Sequence, residues 1–564
     1  KDLRCNLAMG RSMLEKGDFA AARTYLDRAI ARLKMRNDNP MDPEAIYQKA
    51  RLERLCGHLD VAYQLFADAS WQFGWRCACL YEMACIDCVR GDRALAVEHL
   101  TEALVTNACH LAAHTLRAYL TRNEEELHQV LALSPQDTYA RYALWLLTGR
   151  EVETFIRSRP QDVIDAALDF MRAGLNTEAA SVLKTCTCPN QLVACYEAYV
   201  TGGTFEASEM KLCFPNRLED IAVLAYFPHA WQAQYLLGCL YYDRMNYAAA
   251  RTAWEESARL NPDDAFTWRN LAQALYDHFG EKEEARACLE KALHLAPENA
   301  RIVYELLQLY KNINMPVKDR LAFLEAHAAL ARQRDDCFLD MIVLYMQEGR
   351  FEKARELLLS KRFNIYEGGE GKLTRMHGWL YTMWGRQDQL NGNPDEALRW
   401  FETALFYPQN YGEGRHYSAQ EANIYYYTGL LLEAQGKPDE AREAWQKAAN
   451  QPNQVTEVSY FAALSLQKLG EPDKAKAIFR SMVEAGTEQK KNAHLYGYFG
   501  VGMPSPLPFE LDVKPLHLAE ANLLLALGYK GLGKEAESQV ALQALKEIDP
   551  WNLKLCFLEK LGVL

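Results

Sequence analysis

No run of about eighteen apolar residues occurs in this 564-residue chain, so a membrane-spanning helix is not expected. Signatures of several enzyme classes are missing too. There is no phosphate-cradling GxxxxGKS or GxxxxGKT, no GxSxG elbow, no HExxH, and no GxGxxG after a strand pattern. No cofactor is therefore expected. Positive charge is in deficit, with 63 Lys and Arg against 75 Asp and Glu for a formal net charge of −12. The adjacent pair Lys490-Lys491 is too small a cluster to neutralise a phosphate backbone, which argues against a nucleic-acid partner. The first residues lack a secretory signal. Lys1 falls almost directly before the first helical pattern, so the natural protein is expected to extend upstream.

What is present is a recurring pair of helical patterns, clearest between Trp231 and Pro297. Leu237, Gly238 and Tyr241 lie on one predicted helix, Ala250 and Trp254 on the next, and Asn261-Pro262 ends the pair. Trp268, Leu271, Ala272, Gly280, Ala285, Leu289, Ala292 and Pro297 repeat the order. That spacing is close to the tetratricopeptide period of ~34 residues. Small residues are needed where two helices cross, and large apolar ones fill the space between successive pairs, so neighbours must stack. Weaker copies follow the same order at Gly10, Ala22 and Leu26, at Ala50, Ala62 and Phe66, and at Ala84, Ala96 and Leu100. Later ones run through Gly385, Ala397 and Phe401, through Gly429, Ala441 and Trp445, and on to Pro550. The expected fold is an all-α, right-handed superhelical solenoid of ~11–12 tetratricopeptide-like helix pairs. Four sections are expected: N-terminal repeats over 1–110, degenerate helical repeats over 111–227, regular repeats over 228–362, and C-terminal repeats with specialised loops over 363–564.

Fifteen cysteines at irregular spacing suit a reducing compartment, with the cytoplasm as the default expectation. Cys77, Cys79, Cys85 and Cys88 cluster, but a structural zinc site needs two ligand pairs joined through a compact loop. Packed thiols are the expectation, and no metal site is expected. His110 and His114, one helical turn apart, read as packing or surface residues.

The face that first helices turn inward carries Gln232, Tyr235, Cys239 and Tyr242 in one repeat and Arg269, Gln273 and Tyr276 in the next. It is more aromatic and polar than basic. It lacks the cationic set that would clamp a carboxylate.

Three connections are richer in glycine, aromatics and charge than a tight turn requires. They span 363–372, 407–417 and 498–509. Each follows the second helix of a pair, so all three are expected on one rim, bringing Glu367, Glu370, Glu413, Arg415 and His416 within reach of one another. Two carboxylates near aromatic platforms suit a sugar, and a separation of ~5–9 Å would fit glycoside hydrolysis.

The order YEGGEG at 366–371, YPQNYGEGR at 407–415, Tyr425 to Gly429, and YFGVGMPSPLPFELD at 498–512 resembles a bacterial family of large two-part proteins. In that family a β-rich domain like the galactose-mutarotase supersandwich precedes a tetratricopeptide array. The resemblance is strongest from about Phe363 to Pro550. It implies bacterial origin and a link to carbohydrate handling, and the β-rich domain is not in this sequence.

Two function classes follow. The first is a scaffold that binds and positions a protein domain, a peptide, a second copy or an upstream domain of its own. The second is a contributor to a composite glycoside-processing site, with an oligosaccharide ligand and with Glu367 and Glu370 as candidate catalytic residues. Tyr366, Trp379, Glu413, Arg415, His416, Tyr426, Phe499, Tyr235, Arg269 and Gln273 are the candidate ligand or partner contacts. Trp379 is read as the start of a helix just after the glycine-rich loop. One ring of Tyr425-Tyr426-Tyr427 must point away from its neighbours.

Overall fold

A computed structural model describes residues 2–35, 37–150, 159–188, 190–204, 214–364, 369–415, 419–450, 454–494, 508–510 and 512–564. Among them every regular element is helical. The chain is an all-α solenoid of tetratricopeptide-like helix pairs, and it divides into two compact units, Lys1–Ala274 and Leu275–Leu564. None of the described helices is long and apolar enough to cross a membrane.

The pairs form for local reasons. Asp18 and Asp92 cap the second helices Phe19–Leu33 and Arg93–Thr106, accepting from Ala21 N and Leu95 N at 3.0 Å. Asn246 caps Tyr247–Leu260 in the same way. First helices end at a left-handed residue. Gly392 and Gly436, at φ 79° and 73°, occupy the region that costs an L side chain about 1–2 kcal/mol.

Within a pair the helices cross at the small residues. A Cβ added at Gly10 would stand 2.8 Å from the Leu26 side chain, and one at Gly385 would stand 2.5 Å from the Phe401 ring. Gly238 and Gly429 meet Trp254 and Trp445 likewise. The partner side chains are buried together with Ala22, Ala29, Ala62, Phe66, Ala250, Ala397 and Ala441. Each large side chain so buried contributes about 1.5–3 kcal/mol. The same small and large alternation is present in the section that reads as degenerate, where Ala167, Ala179 and Leu183 are fully buried.

The first unit also closes on itself. Asn246 Nδ2 donates to Lys16 O at 3.3 Å, and Arg54 Nη2 donates to Arg172 O at 2.9 Å, while Arg172 pairs with Glu219 at 2.7 Å. In the second unit the Leu553–Lys560 helix lies against Asp335–Gln347 and Lys372–Leu390.

The described cysteines carry free thiols, and Cys77, Cys79 and Cys85 are packed in the core. Burial pushes the Cys79 thiol up to about 12 and Cys88 to about 11. No metal-binding group of His, Cys, Asp and Glu occurs among the described residues. His110 caps Leu111–Thr121 by accepting from Ala113 N, and His114 pairs with Glu126 at 2.6 Å.

Candidate binding groove

In the Trp231–Asp243 helix, Tyr235, Cys239 and Tyr242 recur at i, i+4 and i+7 and so share one face. Asp264 caps the Ala265–Ala274 helix by accepting from Thr267 N at 2.7 Å, which sets Arg269, Asn270 and Gln273 on the neighbouring face. These six side chains line a groove of about 560 Å³ in the first unit. Phe214, Pro215 and Asn216 form one wall, and Trp254 closes the base.

The groove is braced from beneath. Trp254 Nε1 donates to Tyr235 O at 3.1 Å, and its ring lies 5.5 Å from Tyr242. Asn270 Nδ2 donates to Tyr235 Oη at 3.4 Å, and Arg269 Nη1 donates to Asn270 Oδ1 at 3.1 Å. Burial pushes the Cys239 thiol up to about 12 and also raises the Tyr235 phenol. Both stay protonated at neutral pH. A thiol so poised is not a nucleophile. The groove offers aromatic surface, amides and a guanidinium, which is binding chemistry. Tyr276, placed on the inward face by spacing, instead packs its ring, tilted by 56°, at 4.8 Å from Phe509 in the second unit.

Of the loop residues, Tyr366, Glu367, His416 and Phe499 lie outside the described residues. Glu370 is exposed. The first two loops do meet, with Phe363 N donating to Asn410 O at 2.9 Å. Among the described residues, Glu413 and Arg415 are engaged within the protein. Glu413 accepts from Gly371 N at 2.8 Å and from Thr374 N at 3.4 Å, placing a carboxylate on the N-terminus of Lys372–Leu390. Arg415 makes a two-pronged pair with buried Glu421 at 2.9 and 2.8 Å. Asn410 Nδ2 donates to Leu358 O and Lys361 O. Between Asp335, Phe363, Asn364, Lys372 and Glu413 remains a space of about 20 Å³, enough for a water and far too small for a sugar ring. The described end of the third loop lies elsewhere in the second unit, where Glu510 N donates to Asp277 Oδ1 at 2.9 Å.

Glu413→Ala is expected to cost about 0.5–2 kcal/mol through the lost cap, seen as faster amide exchange at 371–374. Glu413→Gln, which keeps an acceptor but not the charge, should lose only part of that.

Trp379 corrects an expectation. Its helix starts at Lys372, so Trp379 sits inside the helix, 4% exposed, with its ring 5.6 Å from Phe557 and no face left for a ligand. Among the three tyrosines, Tyr427 is the buried ring, and Tyr426 is half-buried against Phe461. The wall at 214–216 and the bracing Asn270 were not anticipated. Asn270 adjoins Arg269 on the same helix, but nothing local in 214–216 marks it.

Residues 221–265, 235–300 and 383–455 match the family described as Tetratricopeptide repeat, and 465–487 match the PPR repeat. Among solved structures the chain is similar to a tetratricopeptide repeat protein from Parabacteroides merdae, at 14% identity over 54% of this chain and 98% of that one, with a TM-score of 0.23. It is similar to Naa15/Naa10 bound to HypK-THB, at 14% identity over 100% and 96% of the two chains, with a TM-score of 0.24. It is also similar to the APC/C hetero-tetramer Cut9-Hcn1, at 11% identity over 98% and 95%, with a TM-score of 0.24. The matched tetratricopeptide repeats suggest a protein-interaction scaffold.

Proposed function

We propose that the chain is a scaffold that binds a partner protein through the groove of its first unit, taking an extended segment that sets an apolar side chain beside a hydrogen-bonding or acidic group. The convergence of Tyr235 and Tyr242 from one helix with Arg269, Asn270 and Gln273 from the next carries this reading. Aromatic rings supply contact area at little entropic cost, and the guanidinium and amides fix orientation. The half-buried Cys239 thiol in the groove, held protonated, fits binding rather than turnover.

Arg269 and Gln273 are half-buried at the groove, so changing them leaves the helix crossings intact. A peptide array screened with the wild-type chain and with Arg269→Glu/Gln273→Ala tests the proposal. Segments bound by the wild type should bind the variant at least tenfold more weakly, about 1.4 kcal/mol, at an unchanged melting temperature. Equal binding by both would overturn it.

A further inference from the structure

The Leu553–Lys560 helix departs from the repeat order. Other helices of the second unit pack on their neighbours in sequence, whereas this one reaches back to helices of much earlier pairs. It contains no glycine or alanine, the residues at which the paired helices cross. Its contacts are instead those of a docked segment. Leu555, Phe557, Leu558 and Leu561 are buried, with Phe557 against Trp379. Lys554 Nζ stands 2.9 Å from Glu457 and 2.8 Å from Glu520, carboxylates from two different pairs. The backbone is held at both ends. Tyr427 Oη donates to Leu561 O at 3.1 Å, and Gln347 Nε2 donates to Trp551 O at 3.3 Å across 204 positions of sequence. The Trp551 indole donates to Asn314 O at 3.0 Å.

Apolar anchors, a lysine paired with two carboxylates and a backbone clasp are the recognition elements of a helix lying in a groove. We propose that this face of the second unit is a binding site for a lysine-bearing helix with bulky apolar anchors, and that Leu553–Lys560 is its resident occupant. Tethering gives the resident helix an effective concentration on the order of mM. A competing helix on a partner must therefore match its pattern, bulky apolar residues on one side and a lysine positioned between the two glutamates.

The test uses the full chain and a fluorescent peptide of residues 549–564. Lys554→Glu sets like charge against Glu457 and Glu520 without opening a cavity, and Phe557→Ala removes the main anchor. Each variant should bind the wild-type peptide saturably and at least tenfold more tightly than the wild-type chain does, and a peptide carrying both substitutions should bind neither. Equal binding to wild type and variants, or no binding to either variant, would overturn the proposal. So would loss of the second unit's melting transition in Lys554→Glu, because the helix would then be an inseparable part of the fold.

Discussion

Phe401→Ala is expected to destabilise the second unit by about 3–5 kcal/mol, a large share of the 5–15 kcal/mol that holds a typical domain. Phe401 is fully buried across Gly385, with Tyr427 stacked on its other side at 6.4 Å. Truncation removes the ring from both helices at once. The glycine opposite makes the prediction sharper. In the wild type, Gly385→Ala drives a methyl to 2.5 Å from the ring, so overpacking should cost about 1–3 kcal/mol. With Phe401→Ala already in place the ring clash is gone, and the Ala397 carbonyl oxygen, 3.1 Å from the added methyl, is the close contact that remains. The preference of helices for alanine over glycine, about 1 kcal/mol, offsets that milder crowding. The pair should be strongly non-additive in a double-mutant cycle read from urea unfolding of the second unit. Additive losses would mean that the two helices do not cross at this point.

The second large effect is acid sensitivity at His377. The imidazole is fully buried, with Nε2 at 2.8 Å from Thr403 O and Nδ1 at 2.8 Å from Tyr411 Oη. A carbonyl only accepts, so Nε2 carries the proton and Nδ1 accepts from the Tyr411 hydroxyl. The neutral ring satisfies both bonds. Burial holds His377 down at about 4, below its ordinary 6.5. As pH falls below 6.5 the unfolded chain takes up the proton first, so stability is fully present above 6.5 and declines until pH reaches about 4. At about 1.4 kcal/mol per pH unit the loss approaches about 3 kcal/mol. Amide exchange over 372–404, corrected for the intrinsic pH dependence, should show protection falling in this window, and His377→Gln should remove that component. Asp169 in the first unit supplies an opposite sign. Burial lifts its carboxyl to about 6, so protonation there relieves an unfavourable charge as pH falls. A pH response shared equally by both units would contradict the assignment to His377.

The crossings were legible in sequence because they depend on short spacing. Gly238 with Trp254, Gly385 with Phe401 and Gly429 with Trp445 all pair a missing side chain with a large one inside a single helix pair. The inward face of the groove was legible for the same reason, since Tyr235, Cys239 and Tyr242 follow the helical period. Long-range contacts leave no such trace. Nothing near Trp379 announces that Phe557 will cover it, and the wall at 214–216 comes from a section whose repeat signature has decayed. The described loop residues show a second use for such a composition. Glu413, Arg415 and Asn410 have the composition of a ligand site, yet their polar atoms satisfy a helix N-terminus, a buried carboxylate and two carbonyls. Charge near glycine therefore marks backbone that needs holding as readily as it marks a ligand.

The most direct test of the scaffold account is positional. A photo-crosslinking residue at Gln273, inside the groove, should form a discrete adduct with the partner segment found on the peptide array, while the same residue at Glu255, on the outer side of the Tyr247–Leu260 helix, should form none. Adducts from Glu255 and not from Gln273, or equal adducts from both, would place binding outside the groove and contradict the account.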